Sequence, residues 1–286
     1  MGSLMAAKVA RGGFAVQSYD LNGKGNRRSA REAAEGADVL ITMLPDGDAV
    51  RDAVLDALPA LKRGAVVIDM SSSDPAATRA LEQVLLPHGI LILDSPVSGA
   101  KAKAADGTLA LMVGGNSKVL KRVRPVLETM GTEIFHVGSV GAGHAAKALN
   151  NYLGAAGTLA GFEALIVAQK LGLDPKRLIE AINASTGKNS TTERKIPQQI
   201  LTGAFASGFR LALMTKDVGI AAGLAKDLAV DTPYLRETLR LWRAAQKALP
   251  RDADHTEIYK FLRRPSRKPS SRPRRGRGKR ASRSRG

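Results

Sequence analysis

The chain has 286 residues, 44% hydrophobic but only 4% aromatic, enough for two medium domains whose cores must be built from Ala, Val, Leu and Ile. It has no cysteine, which excludes disulfides, thiolate metal sites and a cysteine nucleophile, and its four histidines show no pair at zinc-ligand spacing. The net charge of +18 is concentrated in residues 263–286, which hold twelve Arg or Lys and no acid and leave +6 on the rest.

A helical pattern starts at the second residue and leads into "FAVQSYD" (14–20), a predicted strand that ends in an acid. Five more short apolar runs follow: "VLITML" (39–44), "AVVIDM" (65–70), "ILILDSP" (90–96), "LALMVGG" (109–115) and "IFHVG" (134–138). Runs apolar on both faces and separated by helices predict a sheet buried on both sides and mostly parallel, a doubly wound α/β domain over residues 1–138. Helix starts are marked in "PDGDAV", "SSDPAAT" and "GGNSKVL" by a capping Asp or Ser or an early Pro. From about residue 141 the strands stop. "GHAAKALNNYLGAAGTLAGFEALIVAQKLG" predicts a helix of about 27 residues, roughly 40 Å long, and "LDPKRLIEAIN" another with an Asp cap and a first-turn Pro. Residues 139–262 therefore read as an all-helical domain entered by a long interdomain helix. Residues 263–286, basic and rich in Ser, Pro and Gly, offer almost nothing to bury and read as a disordered tail able to touch polyanions without sequence preference. No uninterrupted apolar run approaches the roughly 20 residues of a membrane span, and the start lacks the layout of a secretory signal. The expectation is a soluble, cytoplasmic protein with no membrane contact.

In a dinucleotide-binding unit a strand feeds a glycine turn and a helix, and a second strand ends in an acid that bonds the ribose about 20 residues on. Gly2 at a helix start and Asp20 at the end of the 14–20 run fit the last glycine and that acid. The first strand and first two glycines have no counterpart, so the expectation is a Rossmann-like sheet without its first strand and a sequence truncated at its start. "MGSLMA", "DSPVSGAKAKAADGTLALMVGG" (94–115), "GSVGAGHAAKALNN" (138–151) and "SGFRLALMTKDVGIAAGLA" (207–225) stand in the order and approximate spacing of one family. Over about residues 1–262 the chain resembles the β-hydroxyacid dehydrogenases, which include 3-hydroxyisobutyrate dehydrogenase and 2-hydroxy-3-oxopropionate reductase.

By spacing alone, Lys147 and Asn151 share one helix face and equally fit a solvated stripe. The resemblance implies that Lys147 exchanges a proton with the substrate hydroxyl during hydride transfer, with Asn151 beside it. It implies that Ser98 and Gly99 hold the carboxylate of a small hydroxyacid, and Ala100 departs from the glycine usual there. It implies that Leu44 and Pro45 line the cofactor site, that Ser72 approaches the nicotinamide, that Lys216 reaches the cofactor from the helical domain and that Phe209 closes the cleft. Asp20 suits an unphosphorylated ribose, so NAD is expected ahead of NADP. Relatives assemble through their helical domains, which implies a homo-oligomer. Two rival expectations are a catalytically impaired remnant that lacks the first strand, and a polyanion binder acting through 263–286.

Overall fold

Valine and isoleucine runs with no polar face can be satisfied only between two layers of helices, and the computed structural model, which describes residues 1–264, places them there. In chain order the first part forms α1 (Gly2–Arg11), α2 (Ala30–Ala34), β1 (Val39–Thr42), α3 (Gly47–Ala57), β2 (Val66–Asp69), α4 (Pro75–Leu85), β3 (Leu91–Asp94), β4 (Val97–Ser98), α5 (Ala100–Asp106), β5 (Leu109–Gly114), α6 (Ser117–Glu128) and β6 (Gly131–Gly138). β1, β2 and β3 are parallel and in register, with Thr42 opposite Asp69 and Asp69 opposite Asp94. β3 and β4 both pair antiparallel with β5, and Pro96 stands in the break between them. β6 pairs parallel with the other edge of β5.

Alternation along β2 divides the core. Val66 and Ile68 pack with Met5, Val9, Leu120, Val123 and Leu127 from α1 and α6. Val67 packs on the opposite face with Val50, Val54, Leu81 and Leu85 from α3 and α4. The caps follow the sequence: Asp46 accepts from Ala49 N and Asp74 from Ala76 N ahead of Pro75. At α6 the cap is Asn116, which accepts from Lys118 N, and Ser117 is the first helical residue.

The predicted strand at 14–20 is not one. A strand is defined by its hydrogen-bonded neighbour, and no described strand pairs with this segment. Ser18 O instead accepts from the backbone N–H groups of Asn26 and Arg27, and Ser18 N donates to Asn26 Oδ1. Both this segment and edge strand β1 open onto the same large cleft.

The second part is helical: α7 (Ala142–Lys170), α8 (Pro175–Asn183), a π-helix at Thr191–Ile200, α9 (Leu211–Asp227), α10 (Pro233–Ala248) and α11 (Ile258–Leu262). Asp174 caps α8 by accepting from Arg177 N. By length and composition α7 could cross a bilayer. Here it is the spine of a core, with Ala155, Leu159, Phe162 and Leu165 buried against Val218, Leu239 and Trp242. Its first turn is seated on the sheet: Gly141 N and His144 N donate to the two oxygens of buried Asp94, at 2.7 and 2.8 Å. Gly143 allows this, since a Cβ there would stand 2.9 Å from Asp94 O and nearer still to Met112 O. Of the basic segment, Arg263 and Arg264 follow α11; residues 265–286, and with them most of the expected tail, lie outside the described residues.

Candidate active site

The carboxyl ends of β1, β2 and β3 face the helical part across a cleft, where open α/β sheets bind ligands; it is continuous with the groove along the edge of β1, and together they enclose ≈ 2810 Å³. Every residue singled out in the sequence lines it: Gly2, Asp20, Leu44, Pro45, Ser72, Ser98, Gly99, Lys147, Asn151, Phe209 and Lys216. They come from both parts of the chain, and the cleft is what brings them together.

Lys147 lies on α7 one turn after Gly143, so the seating of that turn on Asp94 fixes the height of its amine. The side chain is half-buried, and its amine is in no ion pair with the described residues. Burial pushes the amine below the ordinary lysine value; Asp217 opposes that shift and Lys216 adds to it. Asn151, one turn on, is buried and donates from Nδ2 to Asp217 Oδ2 at 2.6 Å. Asp217 is itself only 2% exposed, and burial pushes its carboxyl up against the pull of Lys216, Asn151 and Lys147. A buried carboxylate thus orients the amide and faces the amine.

Lys216 crosses the cleft. Its Nζ donates to Pro45 O at 3.1 Å and to Ser72 O, tying α9 to the loops after β1 and β2. Phe209 meets the His255 ring edge-on, with centroids 5.7 Å apart. Ser98 ends β4, and Gly99 turns the chain at φ 135° into Ala100, which adopts a left-handed φ of 58°. The glycine expected at position 100 would hold that conformation without strain. Asp20 is exposed, and its Oδ1 accepts from Asn22 N at 2.8 Å. At Gly2 a Cβ would come no nearer than 3.7 Å to Met43 Cβ, so close packing does not demand glycine there.

Three features escaped the sequence reading. The first is Asp217 as the anchor of Asn151. The second is a buried pair at adjacent strand ends. Asp69 accepts from Thr42 Oγ1, Ser71 N and Ser73 Oγ, and Ser71 Oγ in turn accepts from Leu44 N. Asp94 seats α7, and His144, 1% exposed, stands between the two acids with Nδ1 2.8 Å from Thr78 Oγ1. These acids shape the loops that carry Leu44 and Ser72 and seat the helix that carries Lys147, and their signal was visible: "VVID" and "LILD" each close a fully apolar strand with an Asp. The third is Lys195, on the π-helix and on the cleft wall, whose position nothing local in the sequence betrays.

Comparison with known proteins agrees with this architecture. A family model described as the NAD binding domain of 6-phosphogluconate dehydrogenase matches residues 1–138. Another, described as the NAD-binding of NADP-dependent 3-hydroxyisobutyrate dehydrogenase, matches residues 141–262. A probable 3-hydroxyisobutyrate dehydrogenase of Mycobacterium tuberculosis is 39% identical over 77% of this chain and 81% of its own length. An NAD-dependent L-serine dehydrogenase of Pseudomonas aeruginosa is 36% identical over 92% of this chain and 94% of its own. The solved structure of Mycobacterium tuberculosis 3-hydroxyisobutyrate dehydrogenase with L-serine superimposes with a TM-score of 0.85 at 35% identity, covering 92% of this chain and 96% of that one.

Proposed function

The chain belongs to the β-hydroxyacid dehydrogenase family and is an NAD(P)-dependent oxidoreductase; from that premise we propose that it interconverts the alcohol of a small β-hydroxyacid and its semialdehyde or keto form, with Lys147 as proton acceptor and donor. The observation that carries this is the half-buried amine of Lys147, its basicity lowered by burial, opening into the cleft that Ser98 and Gly99 also line. A lysine in that state is neutral at lower pH than a free one, which a general base working near neutrality requires. Lys147 takes the hydroxyl proton as the carbinol becomes a carbonyl, and it ends the step as an ammonium ion. In the reverse direction it gives that proton back to the forming alkoxide. The Ser98 hydroxyl and the backbone N–H groups of the Gly99 turn suit the substrate carboxylate. Asn151, held by Asp217, orients the substrate beside the amine.

The residues present fit a nicotinamide dinucleotide. The first backbone N–H groups of α1, which no side chain caps, open onto the cleft and suit a pyrophosphate. Asp20 keeps an oxygen for a ribose hydroxyl and disfavours a 2′-phosphate, which supports NAD ahead of NADP. Lys216, with Pro45 and Ser72 held at its amine, lines the same cleft. When bound, the cofactor supplies the hydride acceptor or donor. Exposed Leu149, Leu153, Leu171 and Leu228 on the helical part support assembly through that part into a homo-oligomer.

The test is a panel of 3-hydroxyisobutyrate, L-serine, glycerate and threonate with NAD and with NADP, followed by nicotinamide absorbance. The expected result is turnover of at least one acid, faster with NAD. No turnover of any acid with either cofactor would contradict the proposal.

A further inference from the structure

Lys195 has the chemistry of a binding residue and no role in the steps above. It lies on the π-helix Thr191–Ile200, where five-residue hydrogen bonding widens a turn, as is frequent at functional sites. Its Nζ donates to Thr158 Oγ1 at 2.6 Å and lies 3.5 Å from Gly154 O. Thr158 is completely buried, and its hydroxyl proton is committed to Gly154 O at 2.7 Å, so it can only accept from the lysine. Burial, reinforced by Arg194 and opposed by Asp254, brings the Lys195 amine down to about 8.

No salt bridge joins this amine to a carboxylate among the described residues. The acid that acts on it, Asp254, already has its oxygens taken by Ser207 Oγ, Gly208 N, Thr256 N and Thr256 Oγ1. His255 sits beside Asp254 with Nδ1 at Ser207 Oγ and Phe209 O, and burial and Lys195 bring it down to about 4, so it is neutral near pH 7 and supplies no charge. The result is an amine on the cleft wall with no carboxylate in direct contact among the described residues and only the committed Asp254 acting on it from a distance, an arrangement that a ligand anion would complete.

Its place along α7 says which ligand. Lys147, Asn151 and Gly154 are spaced by four and three residues and form one stripe on the cleft side of the helix, and Thr158, four residues further on, continues it into the buried interior. From Lys147 to Gly154 the helix rises about 10 Å. The Lys195 amine, against Gly154 and Thr158, therefore stands about two to three turns beyond Lys147 along the same wall of the cleft. We propose that Lys195 is a specificity residue that binds a second carboxylate, making the preferred substrate a β-hydroxyacid with an acidic side chain. This rests on the proposed function and adds the substrate class to it.

The experiment compares 2-(hydroxymethyl)glutarate with its 5-amide, which has nearly the same shape and lacks only the second charge. kcat/KM is measured for the wild-type chain, Lys195→Gln and Lys195→Arg, with circular dichroism to establish folding. The expected wild-type preference for the diacid is about 30-fold or more, from the loss expected when one partner of a buried charge pair is removed. Lys195→Gln should reduce that ratio to within about threefold of unity, and Lys195→Arg should restore most of it. A lysine with a merely structural role would lower both substrates by one factor and leave the ratio intact, which overturns the proposal. A wild-type ratio near unity overturns it as well, even if the Gln variant fails to fold. Turnover of 3-hydroxyisobutyrate without diacid preference defeats this inference alone, whereas no turnover of any hydroxyacid defeats the proposed function too.

Discussion

Adding one methyl group to α7 should have opposite effects at two positions eleven residues apart. At Gly143 the new Cβ would stand 2.8 Å from Asp94 Oδ2, 2.9 Å from Asp94 O and closer still to Met112 O. Two of these oxygens are backbone atoms of sheet strands and cannot turn aside, so the first turn of α7 must lift. Overpacking of this kind costs about 1–3 kcal/mol. Lifting also stretches the Gly141 N and His144 N bonds to the Asp94 carboxylate, each worth about 1.5–3 kcal/mol as a hydrogen bond to a charged group. Against this stands only the helix preference of alanine over glycine, about 1 kcal/mol. The expected net loss is about 3 kcal/mol, and for a protein of this size that lowers Tm by roughly 6–12 °C. Gly154 has nothing within 4 Å of its Cβ position, so Gly154→Ala should raise Tm slightly through the same helix preference. Thermal unfolding by circular dichroism of both variants beside the wild type is the assay. Lys147 is one turn from Gly143, so Gly143→Ala should also lower kcat by about 100-fold, the effect of roughly 1 Å of misplacement. Gly143→Ala unfolding at the wild-type temperature would refute the close seating of α7 on the sheet.

Further outcomes follow from the same geometry. Ala100→Gly relieves a left-handed alanine and should raise stability by about 1 kcal/mol, read in urea unfolding as a higher midpoint at unchanged slope. In the oxidation direction kcat/KM should rise with pH as Lys147 loses its proton, with a midpoint below the ordinary lysine value because burial disfavours the charged amine. Asp217→Asn removes the charge that opposes that shift, so the midpoint should move lower still; a midpoint that moves up would contradict the assignment. Asp20→Ala should shrink the preference for NAD over NADP by about tenfold or more, read from the ratio of kcat/KM for the two cofactors.

The sheet was legible because a strand buried on both faces has to be apolar throughout, as Val66, Val67 and Ile68 are. The helix starts were legible because Asp46, Asp74 and Asp174 satisfy backbone donors within three residues of themselves. The 14–20 segment has strand-like composition, but a strand depends on a neighbour, which a local pattern does not contain. The site was half legible. Lys147 and Asn151 declare their shared face by a spacing of four. Asn151 and Asp217 meet across 66 residues and Lys195 and Thr158 across 37, and only the packing of α9 and the π-helix against α7 brings them together. Resemblance to a family singled out the residues that matched its motifs; it passed over Lys195 because that residue lies outside them.

The central claim is that the amine of Lys147 moves the hydroxyl proton, and the most direct measurement is the kcat of Lys147→Ala with and without added methylamine. The account predicts a loss of about 100- to 10,000-fold, the usual contribution of a general acid–base group, with cofactor affinity retained and part of the rate returned by the small amine. Turnover within about threefold of the wild type would contradict it.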